Sequence, residues 1–277
     1  MPEEILHKKG PVGCLLIHGF TGSPNEFVDL GAFLGDHDIT VLTPTLPGHG
    51  THSGDMFNFG WRDWFDHVKT AYHHLASSSR EVFVCGLSMG GTLALHLAAH
   101  KPVEGLIALA APVVFPGWRK PAVKYIKHLR KYRRKKHGED VRDVAAKAKL
   151  GSYRRYPYAA VEQLFQLTDH VLADLPEIEQ PLLVIHSRQD HTVAFQNADL
   201  IFNSVISAEK RKVDLERSYH VITVDVEKEQ VRQEILDFIR QHSSALTSGR
   251  GSQKSKRQSS KRARRTSTGA SKPSHRA

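Results

Sequence analysis

The sequence predicts an α/β fold, a mostly parallel sheet covered by helices on both faces. Three observations point there. Short β-rich apolar runs alternate with helical patterns along most of the chain, as in layered folds with right-handed crossovers. Several of those runs are continuously apolar, which marks strands buried on both faces. A serine flanked by glycines stands directly after one apolar run and directly before a helical pattern.

Strands are expected at residues 12–18, 39–43, 82–86, 105–110, 182–187 and 212–215, where β-branched and other apolar residues cluster. Helices are expected at 61–76, 89–100, 195–205 and 227–242; in the last, Val231, Ile235, Phe238 and Ile239 recur at helical spacing. A shorter helix is expected at 25–34, with Ser23 as its cap and Pro24 at its first position. Residues 111–180 hold no strand pattern. Helices are expected there at 122–136, with Val123, Ile126 and Leu129 on one stripe, and at 158–172, with Val161, Leu164, Phe165 and Leu172. The expected division is a core over 1–117 and 176–245, an inserted helical cap over 118–175, and a disordered basic tail over 246–277.

Charge follows this division. The 277 residues carry 39 Lys and Arg against 29 Asp and Glu, but ten of the bases and none of the acids lie in Ser248–Ala277, so the remainder is formally neutral. That segment has no apolar residue larger than alanine and nothing to bury against its ordering entropy. It reads as a solvated tail, with nonspecific contact to a polyanion or an anionic membrane surface as the sharper alternative. A second basic run, Arg119 to Lys136, reads first as a solvated helix face. No run of 18 apolar residues suggests a membrane span. The opening Met1-Pro2-Glu3-Glu4 lacks the features of a secretory signal, and the two cysteines, Cys14 and Cys85, sit inside apolar runs as buried free thiols. A cytoplasmic location is the expectation.

Chemistry concentrates in Gly86-Leu87-Ser88-Met89-Gly90. A serine on a sharp strand-to-helix turn is exposed for attack, and its neighbours two before and two after must be small to avoid collision. A random chain of this length shows the pattern roughly 0.1 times, so its placement between strand and helix makes it strong. An activated serine needs a base, an acid to orient the base, and donors for the developing oxyanion. The backbone N–H of Met89 supplies one donor. The loop His18-Gly19-Phe20-Thr21-Gly22-Ser23-Pro24 supplies the second through Phe20, with His18 ordering the loop. Asp190, in a turn past the strand at 182–187, fits the acid; His220, on a loop before the final helix, fits the base. Asp214 and Asp225 are rival acids, the first mid-strand and the second beyond the base. Phe57, Phe59, Trp61, Trp64 and Phe65 form an aromatic cluster read first as core packing and second as acyl-chain contact. His96 and His100 have a metal-compatible i, i+4 spacing, but no third ligand accompanies them and no metal is expected.

With these segments the chain resembles α/β-hydrolases of the bacterial monoacylglycerol lipase and small carboxylesterase group. The resemblance rests on residues 18–24, on Pro44-Thr45-Leu46-Pro47-Gly48-His49-Gly50-Thr51, on 86–91, on Ser187-Arg188-Gln189-Asp190-His191-Thr192-Val193 and on Ser218-Tyr219-His220. It implies an α/β-hydrolase fold with a small cap, and hydrolysis of short-chain esters or monoacylglycerols by Ser88, His220 and Asp190 without metal or cofactor. It also implies a cap carboxylate for glycerol hydroxyls near Tyr156-Pro157, and here Gly151-Ser152-Tyr153-Arg154-Arg155 carries no acid. A hydrolase-fold binding protein with slow turnover, and an esterase tethered to polyanions by its tail, are the alternative readings.

The charge distribution yields a test. Deleting Ser248–Ala277 removes ten positive charges. Retention on DNA or anionic vesicles is expected to fall strongly and to have been salt-sensitive beforehand, while turnover of a small soluble ester is expected to stay within about twofold.

Overall fold

The computed structural model describes residues 4–135 and 138–246, so the expected tail, apart from Leu246, lies outside the described residues. In chain order the strands are β1 (Ile5–His7), β2 (Val12–Ile17), β3 (Ile39–Thr43), β4 (Glu81–Leu87), β5 (Gly105–Leu109), β6 (Tyr132–Arg134), β7 (Arg155–Pro157), β8 (Leu182–Ser187) and β9 (Lys210–Leu215). Seven of them form one sheet in the order β1-β3-β2-β4-β5-β8-β9. Only β1 runs antiparallel to its neighbour; the other pairings are parallel. The helices are α1 (Val28–Gly35), α2 (Trp61–Ser78), α3 (Met89–His100), α4 (Arg119–Leu129), α5 (Val144–Lys149), α6 (Tyr158–Asp174), α7 (Gln196–Ser204) and α8 (Lys228–His242).

The buried strands carry two cores. One face of the sheet packs Leu15, Ile17, Val84 and Leu106 against Trp64, Val68, Leu93 and Leu97 of α2 and α3, and α6 adds Leu164 and Leu167. The other face packs Cys14, Leu16, Phe83 and Ile107 against Leu30 and Leu34 of α1 and Ile235 and Phe238 of α8. Both cysteines are free and buried there, and burial pushes the Cys14 thiol up to about 12. Among the described residues no helix is long and apolar enough to cross a membrane.

The chain leaves β2 for β3 on one side, and β4 then pairs on the other side of β2. Such a reversal opens a crevice at the carboxyl ends of the strands involved. Here Ile17 pairs with Gly86, so the loop after β2 and the turn after β4 emerge side by side.

Several elements differ from the sequence expectations. β1 is three residues long, too short for a periodic signal. The expected 25–34 helix is a 3-10 turn, Pro24–Phe27, that runs into α1. The helix expected to reach 136 stops at Leu129, where Arg130 turns extended, and β6 and β7 then pair antiparallel in a stretch without strand pattern. Their sequences, Tyr-Arg-Arg and Arg-Tyr-Pro, hold no apolar alternation; the pairing of Tyr132 with Pro157 is a contact between distant segments.

At Gly105 the sheet and α8 meet closely. A Cβ there would lie 2.8 Å from Phe83 and 2.9 Å from Phe238. Gly105→Ala is expected to cost about 1–3 kcal/mol through overpacking, read as a lowered urea midpoint with an unchanged slope.

Candidate active site

The turn after β4 explains its own sequence. Ser88 has φ 55° and ψ −124°, in the left-handed half of backbone space that side chains rarely enter. A Cβ on Gly86 would lie 2.1 Å from the Gly90 carbonyl oxygen, and one on Gly90 would lie 1.9 Å from that of Ile17. Both positions therefore require glycine. Ser88 N–H donates to Leu109 O at 2.8 Å, which anchors the strained residue to the neighbouring strand. Thr92 N–H is the first in α3 to reach back, to Ser88 O at 3.1 Å, so the N–H of Met89 at the helix start stays unpaired within the helix.

His220 Nε2 lies 2.9 Å from Ser88 Oγ, and His220 Nδ1 lies 2.7 Å from Asp190 Oδ2. Residues from three distant turns thus form one hydrogen-bonded series. Asp190 Oδ1 also accepts from the N–H groups of Thr192 and Val193, each at 2.8 Å. Burial alone would raise the Asp190 pKa, but charge and hydrogen bonds from His220 and His186 outweigh it and hold the carboxyl well below its usual range. Burial likewise opposes charge on His220, yet Asp190, with Asp140 and Glu139 nearby, raises its pKa above 6.5.

The loop after β2 faces this series. Phe20 stacks edge-on against Tyr156 at 5.4 Å and Trp64 at 6.1 Å. His18 is fully buried; its Nδ1–H donates to Gly19 O at 2.9 Å while its Nε2 accepts Leu46 N–H at 3.1 Å. Burial lowers its pKa to about 3, so it ties two loops together as a neutral ring. Of the aromatic cluster, Trp64 lies fully buried beneath Phe20 and donates to Pro47 O at 3.1 Å. Trp61 and Phe65 pack on His96 instead, and Phe57 is largely exposed beside Tyr132.

A family model described as "Alpha/beta hydrolase family" matches residues 14–232. The chain belongs to the alpha/beta hydrolase family. It is 36% identical over 249 residues to a thermostable monoacylglycerol lipase of Bacillus sp. (strain H-257), covering 87% of this chain and 95% of that one. To a carboxylesterase of Bacillus subtilis (strain 168) it is 29% identical over 239 residues, covering 86% and 96%. Among solved structures, one from the metagenome-derived lipolytic enzymes LipS and LipT superposes with a TM-score of 0.82 at 31% identity, covering 87% and 98%. By this likeness the chain is a hydrolase of the carboxylesterase and monoacylglycerol lipase kind.

The rival acids of this hydrolase have other partners. Asp214 pairs with Arg188 at 2.5 Å. Asp225 is fully buried and accepts N–H groups from Arg142, Asp143, Tyr219 and Val226 at 2.7–3.1 Å. Neither contacts the His220 ring.

Several residues at the site escaped the sequence reading. His186, fully buried on β8, places Nε2 3.1 Å from Asp190 Oδ2 and 3.2 Å from Val193 O. It lies four residues before the acid, inside an apolar strand, with no pattern to mark it. Asp140 accepts His191 N–H through its carboxylate and His220 N–H through its backbone carbonyl, both at 2.9 Å, so it clamps the acid turn to the histidine loop. Glu139 accepts hydrogen bonds from Ser152 and Lys135. It brings a carboxylate to the stretch before Tyr156 that the local sequence lacks. Glu26 accepts Gly19 N–H at 2.7 Å, and a Cβ on Gly22 would lie 1.9 Å from its carboxylate. The Ser23-x-x-Glu26 spacing was its only signal, and that spacing marks a helix start.

Burial raises the Glu26 pKa from 4.5 to about 7. The folded chain therefore prefers Glu26 protonated, and this contribution to stability is complete below pH 4.5 and lost as pH rises through about 7. Glu26→Gln keeps an acceptor for Gly19 N–H and cannot ionise. Relative to the native chain, it is expected to gain on the order of 3 kcal/mol between pH 4.5 and pH 8, measured as the difference between the two urea unfolding free energies.

Proposed function

We propose that the chain is a serine esterase that cleaves short-chain carboxylic esters or monoacylglycerols through an acyl-enzyme on Ser88. The observation that carries this reading is the continuous series Asp190–His220–Ser88, at 2.7 and 2.9 Å, beside the N–H that opens α3. His220 Nε2 takes the proton as Ser88 Oγ bonds to the ester carbonyl carbon. Negative charge on the carbonyl oxygen is met by the N–H groups of Met89 and Phe20. The carbon–alkoxy bond then breaks, the alcohol leaves with the proton held on His220, and the acyl group remains on Ser88. Water repeats the sequence with its proton passing to His220, releasing the acid and restoring the serine. Asp190 holds the imidazole in the required tautomer and stabilises its charged form.

The lipase at 36% identity supports monoacylglycerol as one substrate class, and the esterase at 29% supports simple esters. In this reading, residues 118–175 act as a cap. Tyr156 stacks on Phe20, and Tyr153 OH donates to Gly48 O at 3.1 Å and accepts Thr51 N–H at 2.9 Å, which closes the cap over the loop at 44–51. Glu139 and Ser152 are its polar groups for a hydroxyl-bearing alcohol.

Labelling with a fluorophosphonate tests the nucleophile directly, with one adduct expected on Ser88. In ester turnover, Ser88→Ala and His220→Ala are each expected to lower kcat by about 10⁴–10⁶, because the series acts as a unit. Asp190→Asn is expected to cost about 10³–10⁴, and Asp214→Asn less than about tenfold. More than a few per cent turnover in Ser88→Ala, or the opposite ranking of the two aspartates, would remove the assignment.

A further inference from the structure

His96 and His100 stand one helical turn apart on α3, and the chain around them offers no third ligand. The fold brings one. Asp174, 78 residues from His96, is the last residue of α6, and its carboxylate is hydrogen-bonded to His96 Nδ1. One ligand atom from each of His96, His100 and Asp174 lies within 4.8 Å of the others.

We propose that His96, His100 and Asp174 form a binding site for a divalent transition-metal cation of the zinc class, which staples the ends of α3 and α6 together. Two imidazoles and one carboxylate are the donor types zinc takes in three-ligand sites, with water in the fourth position; magnesium and calcium prefer all-oxygen sets. Tetrahedral ligands at zinc–nitrogen and zinc–oxygen distances of about 2.0–2.2 Å stand roughly 3.4 Å apart, so the 4.8 Å spread contracts by a small movement. The hydrogen-bonded His96–Asp174 pair opens slightly and releases its shared proton to solvent as the ion binds. His100 is the exposed member and supplies that movement.

Two further features favour a cation. His100 Nδ1 lies 2.8 Å from the His96 carbonyl oxygen. Facing a carbonyl, that nitrogen carries the proton, which leaves the Nε2 lone pair free and orients the ring in the way outer hydrogen bonds orient metal-binding histidines. His100 ends α3 and Asp174 ends α6, so two helix C-termini meet at the cluster, and both dipoles favour positive charge there. Phe65, 4.3 Å from the His96 ring, and Trp61, 5.7 Å from it, wall the inner side.

The ion would not take part in ester chemistry. α3 begins at Met89 and ends at His100, a helix length of about 18 Å. What it would restrain is α6, which starts at Tyr158, two residues after the Tyr156 that stacks on Phe20.

The test uses the full chain with zinc chloride, competed against a chromophoric zinc chelator, and magnesium chloride as control. One zinc is expected to bind with micromolar or tighter affinity. At a hundredfold excess over the dissociation constant it is expected to raise Tm by about 5 °C or more, with no rise from magnesium. His100→Ala, on the exposed member, is expected to leave the zinc-free Tm within about 1–2 °C and weaken zinc binding at least about tenfold. Asp174→Asn is expected to weaken it similarly. Equal zinc affinity in the native chain and His100→Ala would place binding on other histidines and overturn the proposal, as would no Tm rise below millimolar zinc.

Discussion

A Cβ on Gly90 would sit 1.9 Å from the carbonyl oxygen of Ile17, and the arrangement of the whole site depends on that space being empty. Because Gly90 is bare, the start of α3 can press against the end of β2. The serine before it is then driven to φ 55°, held there by its N–H on Leu109 O. The same closeness puts the loop with Phe20 beside the first N–H of α3. Strain at one residue is thus offset by a sheet buried on both faces, whose six-residue β2 and seven-residue β4 have no exposed position.

Burial acts on several histidines here with opposite results, and the partner decides which. His18 and His49 lie among backbone carbonyls and neutral rings, and burial lowers their pKa values to about 3 and about 4. His220 is as deeply buried, but Asp190 outweighs the cost and raises it. In the proposed mechanism His220 carries a proton briefly, and Asp190 is the partner that favours its charged form; the rings that link loops have no such partner. Glu26 is the acidic counterpart: among the described residues no cation lies within hydrogen-bond reach, and burial prevails.

The loop bearing His220 has little regular structure and is held by carboxylates on its backbone. Asp225 accepts Tyr219 N–H at 2.7 Å and Glu227 accepts Ser218 N–H at 2.6 Å. The Asp140 carbonyl takes His220 N–H at 2.9 Å. Hydrogen bonds to charged acceptors are stronger than neutral ones, so a segment without helix or strand ladder can be as fixed as one with it. Through Asp140 and Asp225 it is fixed to the stretch between β5 and β8.

The sequence by itself determined the parallel layers, because continuous apolar runs such as 12–17 and 82–87 can be buried only between two helical layers. It also determined the serine turn, because the glycines two before and two after Ser88 are a local steric requirement. Chain order then pointed to Asp190 and His220. Tertiary structure alone decided what depended on distant segments. The antiparallel pairing of β6 with β7 has no local pattern. His186 against Asp190, Asp140 across the acid turn and the histidine loop, Glu26 under Gly19, and Asp174 against His96 each join residues that share no helix or strand periodicity. A buried polar side chain is specified by whichever partner the fold brings to it. Asp140 and Asp174 meet partners far along the chain, and even the near-sequence pairs His186–Asp190 and Glu26–Gly19 are set by turn geometry and packing, which no helix or strand period encodes.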